Sequence, residues 1–274
     1  MRGWSIILTL FLTTGSAYAG ADPVKADPLL GFLYTDIAVK ADPRNFSSFL
    51  QQLDKKKHSF KQEKELVRYI FYKTHQKFLK NFQTESSFGE LLASGKYNCL
   101  TGTALYALLF EHFDLDYSII ETNHHIFIIV KADGAEILIE TTDPIEGFVD
   151  KPEKIQARLN EYRNNKTPNA TREGVRYEFS FNLWEAVTLE ELTGLLYFNN
   201  AVKAYNQQNL IESAMLLIKA GQYKPSPRIE EFSSLLMLSI RESALAEDEK
   251  KNLLHKLTIV QRQHAAQLAA GLVP

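Results

Sequence analysis

Cys99 is the only cysteine in a chain of 274 residues, within Tyr97-Asn98-Cys99-Leu100-Thr101, and it is followed by His124-His125 and then by Glu140-Thr141-Thr142-Asp143-Pro144. A thiol, an imidazole and a carboxylate in that chain order are the parts of a cysteine nucleophile, its base and the acid that orients the base. Asn98 is a strong N-cap residue, and the run to Phe113 is apolar almost all round, which predicts a buried helix. Cys99 then falls in the first turn, where unpaired backbone N–H groups and the positive end of the helix dipole favour a thiolate. The competing readings of Cys99 are a small buried hydrophobe and one half of an intermolecular disulfide.

The elements downstream must choose among two histidines and two carboxylates. Residues 117–121, 125–131 and 136–140 are β-branched and aromatic, and Asp133-Gly134 between the last two marks a two-residue hairpin turn. Pairing Ala132 with Ala135 and counting outward sets Val130 opposite Ile137, Phe127 opposite Glu140 and His125 opposite Thr142. Side chains alternate faces along a strand, so His125, Phe127 and Glu140 share one face while His124 and Asp143 share the other. His125 with Glu140 is the better placed pair, since diagonal neighbours across a hairpin lie ~7–8 Å apart and a glutamate can bridge that gap. A one-residue bulge would exchange it for the alternative, His124 with Asp143.

Other segments must cover this core. Helical spacing predicts helices over 46–53 and 62–82, with His75 on a solvated or capping face beside Lys73, Gln76 and Lys77, and another over 86–92 stopped by Ser94-Gly95. Residues 150–171 read as a charged connection with turn residues, and 175–182 alternate as a half-buried strand. From Thr188 onward the pattern is helical throughout (192–205, 210–220, 230–243, 247–270). The first pair resembles a degenerate tetratricopeptide helix-turn-helix.

Lysine and arginine total 31 against 33 aspartate and glutamate, so no global field draws the protein to nucleic acid or to an anionic membrane. Residues 1–19 read as a secretory signal: Arg2, an apolar segment from Trp4 to Leu12, and Ala17-Tyr18-Ala19 before Gly20. Periplasmic location is expected, extracellular being the alternative. No stable membrane insertion is expected, because the apolar segment is shorter than the ~20 residues a span needs.

Together Gly95-Lys96-Tyr97-Asn98-Cys99-Leu100-Thr101-Gly102-Thr103-Ala104-Leu105, His125-Ile126-Phe127 and Leu138-Ile139-Glu140-Thr141-Thr142 resemble the core of the transglutaminase-like superfamily of papain-type thiol enzymes. The resemblance implies Cys99 as nucleophile, His125 as base and Glu140 at the position of the family's aspartate, a departure that keeps the charge and alters the reach. The expected fold is α+β, a nucleophile helix packed on an antiparallel sheet (residues 20–185), followed by an all-helical region (186–274). The expected chemistry is acyl transfer on amide bonds of proteins or peptides, hydrolysis being favoured over transfer to an amine. No cofactor and no metal are called for, calcium included; a site of Cys99, His125 and one carboxylate lacks the four ligands usual for structural zinc. The competing class is an inactive binding or scaffolding protein whose helical repeats grip a protein partner.

Overall fold

The computed structural model describes residues 27–36, 39, 41–164, 183–223 and 226–269. Helices α1 (Pro28–Tyr34), α2 (Pro43–Lys57) and α3 (Glu63–Lys77) precede a two-residue strand β1 (Asn81–Phe82), helix α4 (Phe88–Ser94) and strand β2 (Lys96–Tyr97). Helix α5 (Cys99–His112) leads into β3 (Asp116–Thr122), β4 (Ile126–Ala132), β5 (Ala135–Ile139) and β6 (Phe148–Val149), then α6 (Pro152–Asn164) and β7 (Trp184–Val187). Four helices close the chain: α7 (Leu189–Asn206), α8 (Leu210–Tyr223), α9 (Pro227–Glu242) and α10 (Glu247–Ala269).

The fold is α+β. Five antiparallel strands lie in the order β6-β5-β4-β3-β7, with helices on both faces and an all-helical C-terminal region. Ile128, Val130, Ile137 and Ile139 join the core built on α5. Phe127 and Leu138, one residue out of phase, pack on Ile155 and Leu159 of α6. Burial on both faces explains why these strands are nearly continuously apolar. Helix α7 serves two cores: Leu192, Leu195 and Leu196 belong to the first, while Tyr197, Phe198 and Ala201 belong to the one shared by α8, α9 and α10. Among the described residues no helix is long and apolar enough to cross a membrane.

The hairpin register is the expected one, Ala132 facing Ala135, Val130 facing Ile137 and Ile128 facing Ile139. Asp133 and Gly134 both take positive φ, 52° and 76°, as the right-handed twist of the flanking strands requires of a two-residue turn. The Asp133 carboxylate has a second task. Gln62, at the start of α3, makes no side-chain cap, and Asp133 accepts the Glu63 and Lys64 N–H groups at 3.2 and 2.9 Å instead.

Four expectations are corrected. The helix expected over 62–82 ends at Lys77, because the chain turns to pair β1 with β2 in parallel and Lys80 and Asn81 both donate to the Gly95 carbonyl at 3.0 Å. The connection expected over 150–171 holds α6, which buries Ile155 and Leu159. β7 crosses the 185/186 division drawn from composition and pairs along β3 from Ile119 to Thr122. His75 is buried, 7% exposed, because it lies against the rings of Phe71 and Tyr106. The strand expected over 175–182 and the signal expected over 1–19 lie outside the described residues.

Candidate active site

Asn98 caps α5 with a full capping box: its Oδ1 accepts the Thr101 N–H at 2.9 Å, and Thr101 Oγ1 accepts the Asn98 N–H at 2.9 Å. Its amide group is fixed in turn, donating to the Thr84 and Ser86 carbonyls at 2.9 and 3.1 Å. Cys99 is thereby the first helical residue and is partly exposed. Its N–H is among those a helix start leaves without an internal acceptor.

His125 stands just before β4. Its backbone is locked by Thr122, whose N–H donates to the His125 carbonyl at 2.8 Å and whose hydroxyl accepts the His125 N–H at 3.0 Å. The ring lies over Phe127 at 6.2 Å between centroids and nearly parallel to it, the strand-alternate residue on the same face. Glu140 follows β5 directly and meets His125 Nε2 at 2.5 Å through Oε2. The Cys99 thiol lies near enough to the imidazole to act on its proton affinity.

Four donors converge on the buried Glu140 carboxylate, matching its lone-pair capacity. Oε2 accepts from His125 and from the Tyr162 hydroxyl at 2.7 Å. Oε1 accepts from the Thr142 N–H at 3.0 Å and its hydroxyl at 2.6 Å. Burial alone would keep this carboxyl protonated, yet the hydrogen bond and positive charge of His125, helped by Thr142 and Tyr162, bring it down to about 2. Burial likewise opposes a charged imidazole, and the hydrogen bonds and charges of Cys99 and Glu140 outweigh it, lifting His125 to about 10. Burial and the negative charge of Glu140 push the Tyr162 hydroxyl above its ordinary range, so it stays a donor.

The helix carrying the thiol and the loop carrying the carboxylate touch at Gly102. A Cβ there would stand 2.8 Å from Thr141 Oγ1 and 3.0 Å from Thr141 Cβ, and Thr141 is fully buried. Gly→Ala inside a helix ordinarily stabilises by ~0.5–1 kcal/mol. Here Gly102→Ala is expected to reverse the sign and cost about 1–3 kcal/mol through overpacking, read from the urea midpoint; a stabilised variant would show that the two elements can part freely.

Of the sequence-predicted residues, Cys99, His125 and Glu140 meet at one place. Asp143 is engaged elsewhere: its carboxylate accepts the Ile145 and Glu146 N–H groups at 3.1 and 2.9 Å and pairs with Arg158 at 3.3 Å. His124 is exposed. Sequence reasoning misses Tyr162 together with the helix that carries it, although Ile155, Leu159 and Tyr162 have the spacing of one helical face. The polar flanks of neighbouring His75 conceal its burial. Among the described residues neither of its ring nitrogens has a hydrogen-bond partner, and burial, against the pull of the Asp143 and Glu140 charges, holds it down to about 4. Comparison with family models, with curated proteins and with solved structures finds no match.

Proposed function

We propose that this protein is a cysteine-dependent acyl-transfer enzyme of transglutaminase-like, papain-type architecture, acting on amide bonds of proteins or peptides. One observation carries the reading: the His125 imidazole is bound to the Glu140 carboxylate at 2.5 Å and lies within electrostatic reach of the Cys99 thiol.

The chemistry follows from the placement of the groups. His125 takes the thiol proton, and the Cys99 sulfur adds to the carbonyl carbon of the amide. The Cys99 N–H at the helix start donates to the developing oxyanion. As the C–N bond breaks, the imidazolium returns the proton to the leaving amine, leaving a thioester on Cys99. Water, deprotonated by His125, then attacks the thioester and restores the thiol, giving net hydrolysis. Glu140 holds the ring orientation and balances its charge throughout. Hydrolysis is favoured over transfer to an amine because it needs no second substrate site.

The test is iodoacetamide alkylation of the full chain, unambiguous because Cys99 is the only thiol. At pH 6 wild type is expected to react about tenfold or more faster than His125→Ala, the thiolate being the reactive form. Equal rates for the two would remove His125 from the chemistry and the proposal with it.

A further inference from the structure

The turn that carries His125 is held from outside its own hairpin. Residues 123–125 link β3 to β4, and two other parts of the chain converge on this turn. Thr122 closes the turn on His125 through the bonds described above. Asn123 Oδ1 accepts the Leu183 N–H from the segment entering β7. From the second residue of α9, Arg228 donates through Nη2 to the Thr122 and Asn123 carbonyls, both at 3.1 Å. The same Nη2 lies 3.4 Å from Glu121, whose side chain is only 5% exposed, and the guanidinium stands 5.8 Å from the centre of the Phe198 ring on α7. Arg228 is itself largely covered, its side chain 17% exposed.

This arrangement is unlike a surface ion pair. A cation fixed by an aromatic face and a buried carboxylate donates to two successive carbonyls, and charged donors make the stronger hydrogen bonds. One of those carbonyls belongs to Thr122, the residue that locks the His125 backbone on both sides. A path of direct contacts therefore runs from α9 through Arg228 and Thr122 to the backbone beneath the imidazole. On the nucleophile's side, α7 makes a weaker parallel contact: Asn199 Nδ2 donates at 3.4 Å to the Ser86 carbonyl that also receives the Asn98 amide.

We infer that Arg228 is a positioning residue for His125, so that the C-terminal helices set the place of the base relative to Cys99 and Glu140. The inference rests on the acyl-transfer reading for its catalytic meaning, while its structural content stands on the turn itself. Among the described residues three titratable groups face the imidazole: Cys99 from α5, Glu140 from the end of β5 and Tyr162 from α6. If the turn loosens, the ring moves from all three together.

The experiment uses the full chain and two readouts, NMR titration of the His125 ring and Cys99 alkylation at pH 6. Arg228→Leu is expected to bring the His125 midpoint from about 10 toward the ordinary ~6.5. It should slow alkylation on the order of tenfold, the scale of a small misplacement of a reacting group. Arg228→Lys keeps a cationic donor and should retain most of both. Because Arg228→Leu strands Glu121, the double variant Arg228→Leu/Glu121→Gln removes both charges and should show the same ring titration if the carbonyl contacts are what matter. A His125 midpoint unmoved in a folded Arg228→Leu or double variant overturns the inference, as does a Lys variant no better than Leu. The two ideas fail separately: wild-type alkylation at pH 6 no faster than in His125→Ala would end the enzyme reading, and the ring titration would still decide whether Arg228 holds the turn.

Discussion

Glu140→Gln is expected to slow acylation of Cys99 by p-nitrophenyl acetate at pH 7 on the order of 10⁴-fold, the scale for losing the acid that orients a catalytic imidazole. The substitution keeps the shape of the side chain, so the Thr142 N–H and hydroxyl can still donate to its one remaining oxygen. What it removes is the negative charge that lifts His125 and the requirement that Nε2 carry the proton. An amide can present its NH2 to that nitrogen, which would leave the neutral ring's proton on Nδ1 and change the tautomer of the base. Release of p-nitrophenolate measures the step directly. An unchanged rate would mean that Glu140 stabilises the hairpin end and takes no part in the chemistry.

The second large effect is on stability against pH, which should peak near 6.5. His125 is lifted in the folded state, so its contribution is complete below the unfolded value of 6.5 and is lost as pH rises through about 10. His75 is depressed, so its contribution is complete above 6.5 and is lost as pH falls through about 4. Glu140, also depressed, adds a loss that begins below 4.5 and continues through about 2. A tenfold change in proton affinity on folding is worth about 1.4 kcal/mol, so the alkaline flank should cost on the order of 5 kcal/mol and the flank between 6.5 and 4 on the order of 3 kcal/mol, His125 and Glu140 being two views of one interaction. Urea unfolding from pH 3 to 10 gives the profile. Glu140→Gln should flatten the alkaline flank and His75→Phe the flank between 6.5 and 4. A wild-type profile level between those limits would show that neither buried imidazole carries the difference.

How much of this can be read from the sequence varies with the range of the forces involved. The hairpin is legible because Asp133-Gly134 admits few turn geometries, and once Ala132 faces Ala135 the pleat assigns His125 and Glu140 to one face. The cap at Asn98 is legible for the same reason, being a matter of three or four residues. Helix α6 is not: only Ile155 and Leu159 are buried on it, too thin a stripe among charges to mark a period, and Tyr162 goes with it. Phe78 and Phe82 continue the helical spacing of α3, so nothing local ends it at Lys77; the competing partner is the Gly95 carbonyl on another element. The sequence neighbours of His75 point to solvent, although Phe71 four residues before it shares its helix face. Arg228 lies beyond any local signal, since its carbonyl partners are more than a hundred residues away.

Asp133 gives the far end of the hairpin a part in aligning His125 with Glu140. The turn lies about 26 Å along the strand from His125, eight residues at ~3.3 Å per residue. A one-residue slip would turn His125 away from Glu140. The slip would also move Asp133 off the start of α3 and leave the Glu63 and Lys64 N–H groups without their acceptor. The first turn of α3 thus acts as a gauge of strand alignment: it docks only on a hairpin zipped in the frame that brings imidazole and carboxylate together, and a mispaired hairpin is penalised before the two groups ever meet.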